Sequence, residues 1–190
     1  RNPVKKNMLP RVDNAHILKV KYHDIRQINM ILDATKDDPH RDFILFLYNT
    51  GLRIGECSAI TVQDIDFKEK TLRVWRQLQD FIPKKSEKDI IAKHYKKVKS
   101  HEERIIHLND TAMKIAHQWS SRKRKRDFLF TMDHLEAKTI VIVRKARPET
   151  IKEKIIDPQN FGNCVFRPIQ RKAGLEDKEV LGVHSTRHLY

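Results

Sequence analysis

Cysteine is nearly absent: Cys57 and Cys164 are the only two in 190 residues. They are too few and too far apart for the disulfide framework of a small secreted scaffold or for a CxxC redox or metal site, so both read as reduced thiols of a cytosolic protein. Glycine and proline are also scarce, at 5 and 7. That excludes collagen-like and low-complexity architectures, and no fixed repeat period is visible. With neither GxGxxG nor GxxxxGK[ST] present, nucleotide binding through a glycine-rich loop is excluded as well. Long apolar runs are missing. The longest, Phe43 to Tyr48 and Ile140 to Val143, fall far short of the roughly 18 residues that span a bilayer, so no membrane partner is expected. The N-terminal Arg1-Asn2-Pro3-Val4-Lys5-Lys6 has no signal-peptide core and no initiator Met, and the natural protein is expected to begin earlier.

Negative charge is the last shortage. Against 39 Lys plus Arg stand 25 Asp plus Glu, a net charge of +14 with a sequence pI near 9.8. Such a balance points to a polyanion, because each cation set against a phosphate releases condensed counterions. Five consecutive cations, Arg122 to Arg126, stand out, yet the chain stays strongly basic without them. They read first as a solvated helix end and second as a phosphate contact. A second concentration comprises Lys93, Lys96, Lys97, Lys99 and Arg104. The 39% apolar content is enough for one domain with its own core.

Periodicity gives a coarse fold. Residues 1–17 read as an entry linker. Ile25, Ile28 and Leu32 share a helical face that ends near Thr35 to Pro39. Phe43, Ile44, Phe46 and Leu47 make a second helix apolar nearly all round and therefore buried, with Gly51 as its stop. A short helix follows over 54–60. Leu72 and Val74 then alternate with Arg73 and Trp75 as in a half-exposed strand, and 90–98 and 104–108 are further strands. Together these predict one three-stranded antiparallel sheet whose second hairpin carries lysines at its tip. Asn109 and Asp110 cap a helix buried through Ala112, Ile115, Ala116 and Trp119. Residues 131–158 are ambiguous between strand and helix. Phe161, Val165, Ile169 and Ala173 suggest a helix closed by Gly174, with Pro168 kinking it or moving its start. Val183 to Tyr190 opens a last helix. The fold class is mainly α with a small antiparallel sheet.

Two segments carry chemistry. Thr50-Gly51-Leu52-Arg53-Ile54-Gly55-Glu56 stands near the start, and His184-Ser185-Thr186-Arg187-His188 near the end. His184 and His188 are four apart, as in the HExxH zinc motif, but the Glu and a third ligand are missing, and metal binding is set aside. The two segments resemble the TGLRxGE and HxxRH signatures of tyrosine recombinases, the phage-integrase family. Between them, Asp64-Ile65-Asp66 matches the Asp-Ile-Asp that follows the first signature, and Lys97 to Leu108 resembles the family's lysine-bearing β-hairpin. The resemblance covers roughly 18–190. It implies a DNA breaking-rejoining catalytic domain, incomplete at its C-terminus, with residues 1–17 leading from a missing N-terminal DNA-binding domain.

The implied activity is site-specific DNA recombination or integration through a 3′-phosphotyrosyl intermediate, with no cofactor, in a phage- or bacterially encoded, nucleoid-associated protein. The implied partner is double-stranded DNA, with a tetramer for the full-length protein and a monomer for this piece. Arg53 and Arg187 match the two catalytic arginines, whose guanidiniums can clamp the non-bridging oxygens of a phosphodiester under attack. Lys99, with Lys97 as the alternative, matches the lysine that protonates the leaving 5′-oxygen. His184 would bond the phosphate or handle the nucleophile's proton. Glu56 either orients Arg53 from behind or is a carboxylate favoured near a helix start, and His188 has a supporting role. Lys96, Lys97, Arg122, Lys123 and Arg124 are the DNA-backbone candidates. Ser185-Thr186 departs from the usual Asp-Leu, placing Thr186 where an apolar residue packs. Tyr190 falls three residues after Arg187, where the family has a packing residue, and the nucleophile is expected to be absent, leaving this piece unable to cleave. A catalytically dead DNA-binding relative and a type IB topoisomerase-like enzyme are the competing readings.

Overall fold

In the computed structural model, which describes residues 21–80, 92–97, 103–135, 138–144 and 147–189, the apolar segment around residue 45 becomes the buried axis of the molecule. Helix α1 (Ile25–Ala34) precedes it, and the axis itself is α2 (Arg41–Thr50), with Phe43, Ile44, Phe46 and Leu47 wholly buried. Phe43 meets Phe130 and Phe161 edge to face, each at 5.1 Å between ring centres, and Phe46 meets Phe130 at 5.2 Å. Such pairs add specific geometry to the area they remove from water. Helix α4 (Asp110–Ser120) packs on α2 through Ala112, Ile115 and Ala116, and its N-cap Asn109 accepts from the Ala112 N–H at 2.9 Å. Among the described residues no helix is long and apolar enough to cross a membrane.

Helix α1 lies where expected, but its buried face is centred on Ile31 and leaves out Ile25. Ile31 is the wholly buried residue, Ile28 is partly covered, and Ile25 is 76% exposed. A capping box explains the first turn: Asp24 accepts from the Gln27 N–H and Gln27 accepts from the Asp24 N–H, so that turn is satisfied at the surface.

The sheet prediction needs a correction. A three-stranded antiparallel sheet is present, but it consists of β1 (Ile65–Asp66), β2 (Thr71–Val74) and β5 (Arg104–His107). The 90–98 candidate forms β4 (Ala92–Lys97), which pairs instead with β3 (Arg76–Asp80) in a second sheet of order β3-β4-β6-β7. In register, β5 and β4 are thus successive antiparallel partners of a single run over 71–80: Val74 pairs with Arg104, and Arg76 with Lys97. The two do not form a hairpin with each other. The ambiguous stretch supplies β6 (Lys138–Arg144) and β7 (Arg147–Glu153), an antiparallel pair joined to β4 by a parallel ladder.

The helix expected around Pro168 is a composite. Helix α5 (Pro158–Phe161) runs through a π-turn, Gly162–Phe166, into α6 (Arg167–Lys172), where the Arg167 N–H reaches back to the Gly162 carbonyl. Proline has no N–H for the α-helical ladder, and a one-residue widening just before it absorbs the mismatch.

Two glycines decide the path into the first motif. Gly51 ends α2 at φ 59°, in the left-handed region, and turns the chain toward Arg53. Gly55 lies in α3 (Ile54–Ser58), pressed so closely on β3 that a Cβ there would sit 2.7 Å from the Leu78 carbonyl oxygen. Gly55→Ala must push α3 off the β3–β4 ladder. We expect a loss of about 1–3 kcal/mol in urea unfolding, and a loss under 0.5 kcal/mol would show that α3 can shift freely.

Candidate active site

Arg53 caps helix α3, whose third residue is Glu56, and the Glu56 side chain is fully buried. Glu56 Oε2 accepts the Arg53 backbone N–H at 3.0 Å, and Oε1 accepts from Arg53 Nη1 at 3.0 Å. One carboxylate thus satisfies the helix start and fixes the guanidinium beside it. A second arginine completes the arrangement. Arg104, the first residue of β5, donates from Nη1 to Oε1 at 3.1 Å and from Nη2 to Oε2 at 2.7 Å. Burial pushes the Glu56 carboxyl up, but Arg104 and Arg53 outweigh it and hold the group below its ordinary range.

The second motif lies in a 3-10 helix, Val183–Leu189, packed on α2. Side chains three apart eclipse in such a helix, so exposed His184 and half-buried Arg187 share one face. Ser185 and Thr186 lie off that face and are buried. Thr186 fills the place of an apolar residue by donating its hydroxyl to the Val183 carbonyl at 2.9 Å, and Ser185 donates to the Gly182 carbonyl at 2.8 Å. Behind them His23, wholly buried, bonds Gln170 Oε1 through Nε2 at 2.9 Å and Tyr48 Oη through Nδ1 at 3.0 Å. Gln170 Oε1 can only accept, so Nε2 carries the proton and Nδ1 accepts from the Tyr48 hydroxyl. Burial lowers the His23 pKa and raises that of Tyr48, so this tyrosine is held protonated within the fold.

Arg187 joins the first motif electrostatically. Burial lowers its pKa, Arg53 and Arg104 add to the effect, and Glu56 opposes them. Three guanidiniums therefore share the field of one carboxylate. Nη1 of Arg187 is covered and has no hydrogen-bond partner. A covered, unbonded donor on a cation costs about 1–3 kcal/mol or more, and an anion at this position would relieve that cost. The structure brings together Arg53, Glu56 and Arg187, with His184 on the same face as Arg187. The role of Arg104 was missed. It stood only among the cations of the second basic concentration, although a glutamate in an otherwise apolar helix start is itself a sign that more than one cation stands nearby.

The remaining candidates separate. Lys99 and Tyr190 lie outside the described residues, and of Lys96, Lys97 and His188 only the backbone is described. Lys97 ends β4 opposite Arg76, and Lys96 pairs with Gln77. Arg122 and Arg124 are exposed beyond α4. Lys123 needs a correction, because its ammonium is used inside the protein. Nζ donates to the Phe128 and Leu129 carbonyls at 2.8 and 2.9 Å and to Thr131 Oγ1 at 2.6 Å, tying down the segment after the basic run. Three acceptors on half-buried Lys123 leave no donor for a phosphate.

Behind the site lies a second buried ion pair. Asp64, of the Asp-Ile-Asp segment, accepts from the Thr61 N–H and hydroxyl at 2.8 Å each and from Trp75 Nε1 at 2.9 Å, and it pairs with Arg76. Arg76 also donates to the Ala59 carbonyl at 3.1 Å and lies over the Trp75 ring. Asp66 has a different task. Its Oδ1 accepts the Lys68 and Glu69 N–H groups and shapes the β1–β2 turn.

Comparison with known proteins places this geometry in context. The chain matches the family model described as the phage integrase family over residues 20–190. It is 26% identical over 125 residues to tyrosine recombinase XerA of Saccharolobus solfataricus, a match that takes in 66% of this chain and 36% of that protein. Its fold is similar to that of the Tn1549 transposon integrase solved in complex with circular intermediate DNA, with a TM-score of 0.64 at 19% identity, covering 89% of this chain and 52% of that one. A crystal structure of XerA recombinase superposes with a TM-score of 0.55 at 17% identity, covering 88% and 46%. The chain thus spans about a third to a half of the length of these relatives.

Proposed function

Since the chain belongs to the phage integrase family, we propose that it handles the scissile phosphate in site-specific DNA recombination, with strands broken and rejoined through a 3′-phosphotyrosyl link. The observation that carries this reading is the covered, unbonded Nη1 of Arg187 in the shared field of Arg53. Arg53 and Arg187 would clamp the two non-bridging oxygens as charge builds on them in the transition state. Glu56 holds Arg53 for that contact. Lys99, or Lys97, would protonate the departing 5′-oxygen, and His184 would reach the phosphate from the face it shares with Arg187. His188 supports this segment.

Double-stranded DNA is the proposed substrate, in line with the charge of +14 and with the DNA held by the Tn1549 integrase. Lys96, Lys97, Arg122 and Arg124 are the proposed backbone contacts. The same reading places residues 1–17 as a link from a DNA-binding domain and expects a tetramer on two duplexes. Recombination of a two-site plasmid by the full-length protein is the test. Arg53→Ala should lower the rate at least about 100-fold, the scale of losing one preorganised donor to a transition-state oxyanion. Recombination at the wild-type rate would sink the proposal.

A further inference from the structure

Glu56 has two carboxylate oxygens, and both are filled. Oε1 accepts from Nη1 of Arg53 and Nη1 of Arg104, and Oε2 accepts from the Arg53 N–H and Nη2 of Arg104. A carboxylate offers about four lone-pair sites, so this acceptor is full. Arg187 feels the charge of Glu56, yet its Nη1 has no partner. A guanidinium beside a carboxylate with open lone pairs pairs with it, preferably through two parallel bonds. Here Arg104 already occupies the oxygens that would attract it.

We propose that Arg104 is a positioning residue: by filling Glu56 it keeps the carboxylate from capturing Arg187, and so leaves that guanidinium for the phosphate. This inference rests on the phosphate-site reading above. It explains why the cluster needs a third arginine that the catalytic clamp does not use. With Arg53 alone, Glu56 would keep two open sites in the field of Arg187, and the second clamp residue would be spent on its neighbour. The placement of Arg104 is also significant. It opens β5 directly after the lysine-bearing segment, in register with Val74, so the same strand that continues from that segment locks the carboxylate.

A charge-neutral substitution separates this role from a simple electrostatic one. Arg104→Lys keeps the net charge of the cluster but replaces a planar fork with a single ammonium, which cannot cover both oxygens in parallel. Inorganic phosphate is titrated into the 190-residue chain and followed by the side-chain Nε–Hε NMR signals of its arginines. The Arg187 signal is assigned by its loss in Arg187→Ala. We expect Arg104→Lys to weaken phosphate binding several-fold and Arg104→Met by about tenfold, the scale of one charge-assisted bond. In both variants the Arg187 signal, before phosphate is added, should move to the position of an ion-paired guanidinium. Dispersed amide spectra establish that each variant is folded, and Arg104→Lys carries the test should Arg104→Met unfold. Wild-type affinity in Arg104→Lys, or weakened affinity with an unmoved Arg187 signal, overturns the proposal while leaving the phosphate site intact. Wild-type affinity in Arg187→Ala removes the phosphate site itself, and this role of Arg104 with it.

Discussion

Replacing Asp64 by alanine should destabilise the fold by about 3–5 kcal/mol, the usual cost of stranding one member of a buried ion pair. The side chains of Arg76 and Asp64 are only 8% and 6% exposed. Without the carboxylate, the Arg76 guanidinium loses the charge it pairs with and keeps the Ala59 carbonyl and the Thr61 hydroxyl as acceptors. The Trp75 indole N–H and the Thr61 N–H lose their acceptor as well. Asp64→Asn should cost less, because the amide oxygen can still accept from Trp75 or Thr61. The measurement is the urea midpoint at constant m-value. A shift worth less than about 1 kcal/mol would mean that the Asp64 charge is not what holds Arg76 in the fold.

Glu56→Ala should have the second-largest effect, about 3 kcal/mol, at the lower end of the same range. Its two arginine partners have side chains about a third exposed, at 34% and 33%, and recover part of their hydration when the carboxylate goes. The effect depends on pH with a definite sign. The folded carboxyl lies below its ordinary value of 4.5, so the unfolded chain takes up the proton first as pH falls. The stabilisation is fully present above about pH 4.5 and is lost as pH drops further through the folded value. Thermal midpoints of the wild type and Glu56→Gln measured from pH 7 to pH 3 should therefore converge at the acid end. A gap that stays constant across this range would show that the arginines do not hold the charge of Glu56.

What could be read from sequence follows the range of the interactions. Helix α2 was legible because four large apolar residues in a row of turns leave no solvent side, and Gly51 supplies a stop whose left-handed backbone the structure shows directly. The alternation at 71–74 was legible for the same local reason. The pairing of the strands was not, because register depends on partners far along the chain. That β4 and β5 follow one another along the 71–80 run, and that β6 joins β4 in parallel, leaves no local pattern. The face of α1 was extended one turn too far, to Ile25, because its first turn is satisfied by Asp24 and Gln27 and does not need the core. At the site, the motifs marked Arg53, Glu56, His184 and Arg187. They could not show that Arg104 closes around Glu56 or that Lys123 turns inward, since both depend on which acceptors the fold leaves nearby.

The pitch of the 3-10 segment that carries the second motif sets an angle. At 3.0 residues per turn, His184 and Arg187 point the same way, whereas at the 3.6 of an α-helix residues three apart diverge by about 60°. Winding or unwinding Val183–Leu189 would therefore rotate the imidazole and the guanidinium relative to each other. Whatever pulls along this segment adjusts the aim of both side chains at once, as a twist in a short shaft turns one blade against another.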